Sequence, residues 1–330
     1  MPGTMSIAHK ILQNELPGVA AIALCFEDAI AEGDLPDAEK NVIQTLSLLV
    51  TAMGEGKLNL DDIPLIFIRA RNTEQFKRFS QRLTNDLVKV LTGFVLPKFT
   101  TQNGNEYLSH LETLNHKFET ALYGMPTLES REMAFKETRI SELLGIRNLL
   151  KTYQESILNI RVGGTDFSSI FGVRRGIDQT IYNILTVSDC LSDILNIFNR
   201  DEEGFVLSAP VWEYYQTSKQ PIPETRQHQV NKALDGLLQE VTLDIANGFI
   251  GKTVIHPSQV KVVNAMHAVT REAYDDAVQI LDTHGGVVKS LSENKMNEKK
   301  PHTSWAKRIL TRSRVYGVIE HKVSHRDFFI

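Results

Sequence analysis

Charged side chains recur in this 330-residue chain at one kind of place, directly after short apolar runs. Residues 19–26 (VAAIALCF) are followed by Glu27-Asp28, residues 63–68 (IPLIFI) by Arg69 and then Arg71-Asn72, and residues 94–96 by Pro97-Lys98. The run 120–125 leads to Glu129, 157–162 to Gly163-Gly164-Thr165-Asp166, 205–208 ends in Ser208, and 253–255 leads to His256. If these runs are parallel strands of one barrel, their C-terminal ends converge, and residues distant in sequence share one mouth. Glu129 and Asp166 then leave consecutive strands, whose axes lie about 5 Å apart. Carboxylates that close repel unless a cation lies between them. A hard divalent ion such as magnesium takes one or two carboxylates, keeps waters and leaves positions for substrate oxygens. Glu129 can equally head the helix that follows it, where the dipole also favours a carboxylate.

Each of the other residues at this mouth has a structural reading beside the chemical one. Gly163-Gly164 lets the backbone turn sharply and approach a ligand, or simply forms a strand-to-helix turn. Arg69 offers a planar fork that grips a substrate carboxylate, or it pairs with Glu27 or Asp28. Lys98 can form a Schiff base only if burial lowers its pKa, whereas acidic neighbours hold it charged, and the structural role is favoured. His256 precedes Pro257 at a helix start, where it orients the loop more readily than it transfers protons.

The elements that must position these residues alternate along the chain. Helical stretches with turn residues at their ends span 37–53, 74–91, 105–118, 130–154, 177–198, 224–247 and 257–283. Short apolar runs followed by amphipathic helices are the βα signature, and 330 residues suffice for one large α/β barrel. No internal repeat or linker interrupts the alternation before residue 284, so 1–284 reads as the barrel domain and 285–330 as a helical C-terminal extension. From Gly286 onward the extension carries ten Lys or Arg against four Asp or Glu. With a whole-chain net charge of −4, this puts +6 on the extension and −10 on the body. A basic appendage on an acidic body is either a lid or subunit contact that meets an anion, or a solvated helical face.

Composition narrows the partners. Hydrophobic residues make up 42% and charged residues 23%, which excludes a disordered or fibrous chain. The negative balance argues against a nucleic-acid partner. Cys25 and Cys190 stand far apart without metal or redox spacing, and read as small buried hydrophobes in a reducing compartment. No stretch resembles a secretory signal or a bilayer span, so no membrane partner and a cytoplasmic location are expected.

The segments ALCFEDAI, IFIRARN, VLPKF, MPTLES, RVGGTDFSSIFGVRR, GKTVIHPSQV and NKMNEKKPHTSWAKRIL carry a family resemblance. Together, in this order, they resemble the citrate lyase beta subunit group of the HpcH/HpaI aldolase superfamily. Within it they are similar to the divergent carbon–carbon bond lyase branch associated with tellurium-resistance clusters. The resemblance implies a TIM (β/α)8-type barrel and a lyase that works through a metal-stabilised enolate of a 2-oxo acid or acyl thioester. It implies magnesium, or manganese, on Glu129 and Asp166, and a substrate carboxylate on Arg69. It also places the Glu27-Asp28 pair beside the metal and its waters, assisting proton transfer. A small carboxylate or acyl-CoA substrate and a homotrimer follow from the same likeness. Arg71, Gly163, Gly164, Lys98 and His256 complete the expected substrate-binding set.

Three departures stand out. RARN replaces the usual RVN, so Arg71 can share or take over the role of Arg69. Met296-Asn297-Glu298-Lys299-Lys300-Pro301 lacks the aspartate that precedes the family's C-terminal proline, and Glu298 is the one candidate substitute. Met1-Pro2-Gly3-Thr4 resembles only the end of the family's first strand, so that strand is expected to be missing or altered and the barrel imperfectly closed, or sealed by the tail or a partner chain. Three alternatives of other classes remain: a Schiff-base aldolase using Lys98, a non-catalytic scaffold in a stress-response system, and a phosphoenolpyruvate-type mutase or kinase-like barrel, which would share the acidic mouth. A phosphoenolpyruvate-type barrel lacks a phosphate-binding loop here.

Overall fold

Alternation of side chains across each strand decides what the sheet can carry. The computed structural model describes residues 1–200, 204–215, 224–321 and 323–328, without the side chains of 224–231 and 326. Strands β1 (Ala21–Cys25), β2 (Leu65–Arg69), β3 (Gly93–Leu96), β4 (Tyr123–Leu128), β5 (Ile160–Val162) and β6 (Leu207–Ser208) form one parallel sheet in that order. On one face Ile22, Leu24, Ile66, Ile68, Phe94, Leu96, Leu128, Ile160, Val162 and Leu207 join the large core with the helices. On the other, Phe67, Val95 and Met125 make a separate apolar layer with Ala23 and Tyr123. This second face is the inside of the curled sheet. Because side chains alternate with a period of two, stepping along the strands from Ala23, Phe67 and Met125 leads on the same face to Glu27, Arg69 and Glu129.

The edges correct the expected strand count. Seven strands were expected, the last at 253–255, with the family's first strand absent. Instead, Pro2 bridges Cys25 in parallel: the Cys25 N–H donates to Met1 O at 2.8 Å and the Gly3 N–H to Cys25 O at 2.9 Å. At the far edge Ala209 bridges Lys252, with the Ala209 N–H donating to Gly251 O at 3.1 Å. Six strands with a single bridge at each edge therefore fill eight positions. The far one stays short because Gly251 takes a left-handed φ of +76° on one side and His256 begins a helix cap on the other.

Several expected elements are shifted or divided. β4 runs to Leu128 rather than 125, so Glu129 leads directly off its end. The stretch 74–91 is a helix only over Thr73–Ser80, followed by a short 3-10 turn at Leu87–Val90. The stretch 130–154 is divided into Arg131–Ala134 and Lys136–Thr152, and 177–198 is helical from Leu185. Cys190 is buried, and burial pushes its thiol up to about 11, but Cys25 is only half-buried at the end of β1.

The chain divides into two compact units, Met1–Glu213 with Asn247–Ile255, and Tyr214–Ala246 with His256–Ile330. The second holds helices Pro257–His267, Arg271–Asp282 and Lys299–Tyr316. Its own core is Val269, Ala277, Ile280, Ala306 and Ile309. The expected boundary at 284 falls inside this unit, because residues on both sides of it build that one core. Val269–Thr270 pairs in parallel with Val318–Ile319 and interrupts the helix expected over 257–283. Among the described residues no helix is long and apolar enough to cross a membrane.

Phe94 is fully buried on the helix-facing side of β3, its ring centroid 4.6 Å from that of Phe76. Phe94→Ala is expected to lower the unfolding free energy by about 3–5 kcal/mol, read by urea denaturation.

Candidate functional site

Arg69 closes β2 with its guanidinium among three acids. Nε donates to Glu27 Oε2 at 2.6 Å, Nη2 donates to Glu129 Oε1 at 3.1 Å, and Nη2 lies 3.7 Å from Asp28 Oδ2. Glu27 and Glu129 are 6% and 3% exposed, so neither could be buried as an anion without such a partner. The two acids hold the guanidinium charged and raise its pKa, against the lowering effect of burial.

Lys98 adds a second tie. Its backbone sits in the left-handed region at φ +47°, a conformation costing a non-glycine residue about 1–2 kcal/mol. In this turn the Lys98 N–H donates to Glu129 Oε1 at 2.9 Å, while Nζ lies 3.0 Å from Glu27 Oε1 and 3.6 Å from Asp28 Oδ1. Burial would lower the pKa of the ammonium, but the hydrogen bond to Glu27 and the charges of Glu27, Asp28 and Asp166 together raise it. Lys98 is therefore held protonated, the opposite of what a Schiff-base nucleophile requires.

Glu129 and Asp166 face one another. A Cβ placed on Gly163 would lie 2.4 Å from Glu129 Oε2 and 3.1 Å from Asp166 Oδ2, so both oxygens converge on a space that only glycine leaves open. The two carboxyls come within hydrogen-bonding range, yet Glu129 Oε2 has no donor. Burial pushes Glu129 up to about 7, with Asp166 and Glu27 adding to it and Arg69 and the Lys98 N–H opposing it. Asp166 is raised as well, by burial and then by the charge of Asp28. Two facing carboxyls of this kind take up either a proton or a cation. Among the described residues no three His, Cys, Asp or Glu gather to hold a metal, so an ion here would rely on two protein carboxylates plus water or ligand oxygens.

Glu27, Asp28, Arg69, Lys98, Glu129, Gly163 and Asp166 are thus brought together. Arg71 is not: Nε donates to Phe26 O at 3.0 Å and Nη2 donates to Ile30 O, which fixes the loop bearing Glu27 and Asp28. Gly164 lies against Pro210, where a Cβ would come within 2.9 Å of the proline Cβ. His256 belongs to the second unit. Its Nδ1 accepts from the Ser258 N–H at 3.2 Å, and its ring stacks on Tyr215 at 4.5 Å. Two inner-face residues escaped the sequence reading, Thr127 and Arg161. Counting back by two from Gly163 would have found the arginine.

The comparisons agree with this geometry at the level of fold and family. The chain belongs to the C-C bond lyase family of the TIM-barrel fold, whose model matches residues 1–318. Among solved structures it is similar to Mycobacterium tuberculosis CitE in complex with magnesium, acetoacetate and coenzyme A, with a TM-score of 0.57 and 16% identity over 95% of this chain and 96% of that one. A Haloferax volcanii malate synthase, native at 3 mM glyoxylate, gives a TM-score of 0.55 and 14% identity over 79% of this chain and 70% of that one. RipC from Yersinia pestis gives 0.51 and 13% over 81% and 91%. No curated protein matches the chain.

The raised Glu129 pKa fixes the sign of a pH dependence. A carboxyl whose pKa is higher folded than unfolded stabilises the fold fully below about 4.5 and loses that contribution as pH rises through about 7. In the presence of a chelator, the urea midpoint is expected to fall between about pH 5 and 8, and Glu129→Gln to flatten the fall.

Proposed function

We propose that the chain is a magnesium-dependent lyase that makes or breaks a carbon–carbon bond beside a carbonyl, through the enolate of a 2-oxo acid or acyl thioester. The observation that carries this reading is the convergence of Glu129 Oε2 and Asp166 Oδ2 above Gly163. Both are hard oxygen donors and one lacks any donor of its own, which suits magnesium, or manganese in its place. When bound, such an ion supplies Lewis-acid stabilisation of charge on a carbonyl oxygen, worth several kcal/mol.

The chain's own residues divide the remaining work. Glu129 and Asp166 would hold the ion. Glu27 keeps Arg69 in place and is itself fixed by it. Asp28 is 63% exposed at its side chain and only loosely paired, so it is the group with freedom to accept or return a substrate proton through water. Arg69 retains Nη1 for a substrate carboxylate, and the Lys98 ammonium, about half exposed, offers a second donor. Arg71 acts by holding the Glu27-Asp28 loop rather than by touching substrate. The neighbours bound to acetoacetate and coenzyme A or crystallised with glyoxylate support a small carboxylate or acyl-CoA substrate. The homotrimeric state drawn from the family resemblance, and a cytoplasmic setting, belong to the same proposal. A Schiff base on Lys98 is disfavoured by the charges that keep it protonated.

Calorimetric titration with magnesium is expected to give one site in the wild type and none in Asp166→Ala, with the circular dichroism spectrum unchanged. Equal magnesium binding by both proteins would overturn the assignment. A thermal-shift screen of 2-oxo acids and acyl thioesters should raise Tm only with magnesium present, by roughly 4 °C at a hundredfold excess over Kd.

A further inference from the structure

One cation inside the curled sheet stands without an ion pair among the described residues. Arg161 lies on β5 two residues before Gly163, in register with Thr127 on β4 and Ser208 on β6. Its neighbours Ile160 and Val162 belong to the helix-facing core, so its side chain projects to the inner face. Nη2 donates to Thr253 Oγ1 at 2.8 Å, and among the described residues the guanidinium forms no ion pair. Burial pulls its pKa down to about 10, the like charge of Arg69 adds to the effect, and the charge of Glu129 opposes it.

Beside it the polar groups are also unspent. Thr127 is 3% exposed, and its Oγ1 has no hydrogen-bond partner. Asn159, two residues earlier on the same face, donates from Nδ2 to Ser208 Oγ at 2.9 Å. A half-buried guanidinium without an ion pair is costly, and a methionine would fill the same place without that cost. A buried hydroxyl without a partner adds to the imbalance. Thr127 and Arg161 stand directly opposite one another on adjacent strands, so the guanidinium donors and the hydroxyl share one stretch of the inner face.

We propose that Arg161 and Thr127 form a carboxylate subsite on the inner face, below Glu129 and Asp166, which makes the substrate a dicarboxylate: one end at the acidic pair, the other on Arg161. This rests on the reading of Glu129 and Asp166 as the reacting centre. A carboxylate fits better than a phosphate for two reasons. The guanidinium fork matches a planar anion in a bidentate geometry. Of the three cations named here only Arg161 lacks an ion pair among the described residues, since Arg69 and Lys98 are already paired with Glu27, Asp28 and Glu129.

The test titrates malonate, succinate, acetate and inorganic phosphate into wild type, Arg161→Met and Thr127→Val, each with and without magnesium. One of the two dicarboxylates is expected to bind wild type at least tenfold more tightly than acetate. Arg161→Met should weaken that binding about tenfold or more and Thr127→Val a few-fold, while magnesium affinity is unchanged in both. Arg161→Met is also expected to melt no lower than wild type, because it removes a charge that forms no ion pair among the described residues; a marked loss of Tm would assign Arg161 to the fold instead. Dicarboxylate binding within twofold of wild type in Arg161→Met overturns the subsite, as does a preference for phosphate or no dicarboxylate binding by wild type. If wild type binds dicarboxylate equally with and without magnesium and Arg161→Met abolishes it, the subsite stands and the metal reading falls.

Discussion

A guanidinium shared between two buried carboxylates is the interaction on which the rest of this site depends. Arg69 joins Glu27, off the end of β1, to Glu129, off the end of β4, and so ties together residues separated by 102 positions in sequence. Without it Glu129 would keep only the Lys98 N–H and Glu27 only the Lys98 ammonium, and burial that complete is tolerated only with partners of good geometry. With it, Glu129 is held by one oxygen, and its other oxygen is left to face Asp166. The pairing that secures the fold at the strand ends is also what leaves the second oxygen available.

This arrangement follows from strand parity more than from the loops. Ala23, Phe67, Val95 and Met125 form an apolar layer inside the sheet, and on β1, β2 and β4 the same face continues to Glu27, Arg69 and Glu129. A small barrel filled by side chains in its lower half and open at the C-terminal ends of its strands is the general architecture of the TIM fold. The family match over residues 1–318 accords with it. The unusual feature is that charge continues downward on one side, to Arg161, where relatives of any barrel family would more commonly bury branched apolar residues.

The sequence disclosed the charged ends of the strands because polarity switches sharply there. Glu27 after VAAIALCF and Arg69 after IPLIFI need no structure to be noticed. The neighbourhood of Glu129 and Asp166 was also legible, since consecutive strands of a parallel sheet are usually adjacent. Other features were hidden for physical reasons. Pro126 lies inside β4, in register with Leu96, and a proline ordinarily argues against a strand, which displaced the expected run toward residue 120. Phe76, Phe79, Leu83 and Leu87 are all buried at helical spacing, although the helix ends at Ser80 and the chain turns between them. The break in the stretch 257–283 comes from pairing of Val269–Thr270 with residues 49 positions later, a contact that no local pattern encodes. Arg161 in LNIRVGG reads as an exposed residue on a short strand until its direction is known.

The turn at Lys98 links two acids through one residue, by amide to Glu129 and by ammonium to Glu27. What a replacement at this position does to the two acids depends on whether it preserves the turn. Glycine would relax the left-handed backbone and keep the amide contact while releasing Glu27, whereas a bulky β-branched side chain would disfavour the turn and release both. The chemistry of the mouth is therefore correlated through a loop that itself need not touch the reacting carbon, and drift in that loop during evolution would retune acidity at two places together.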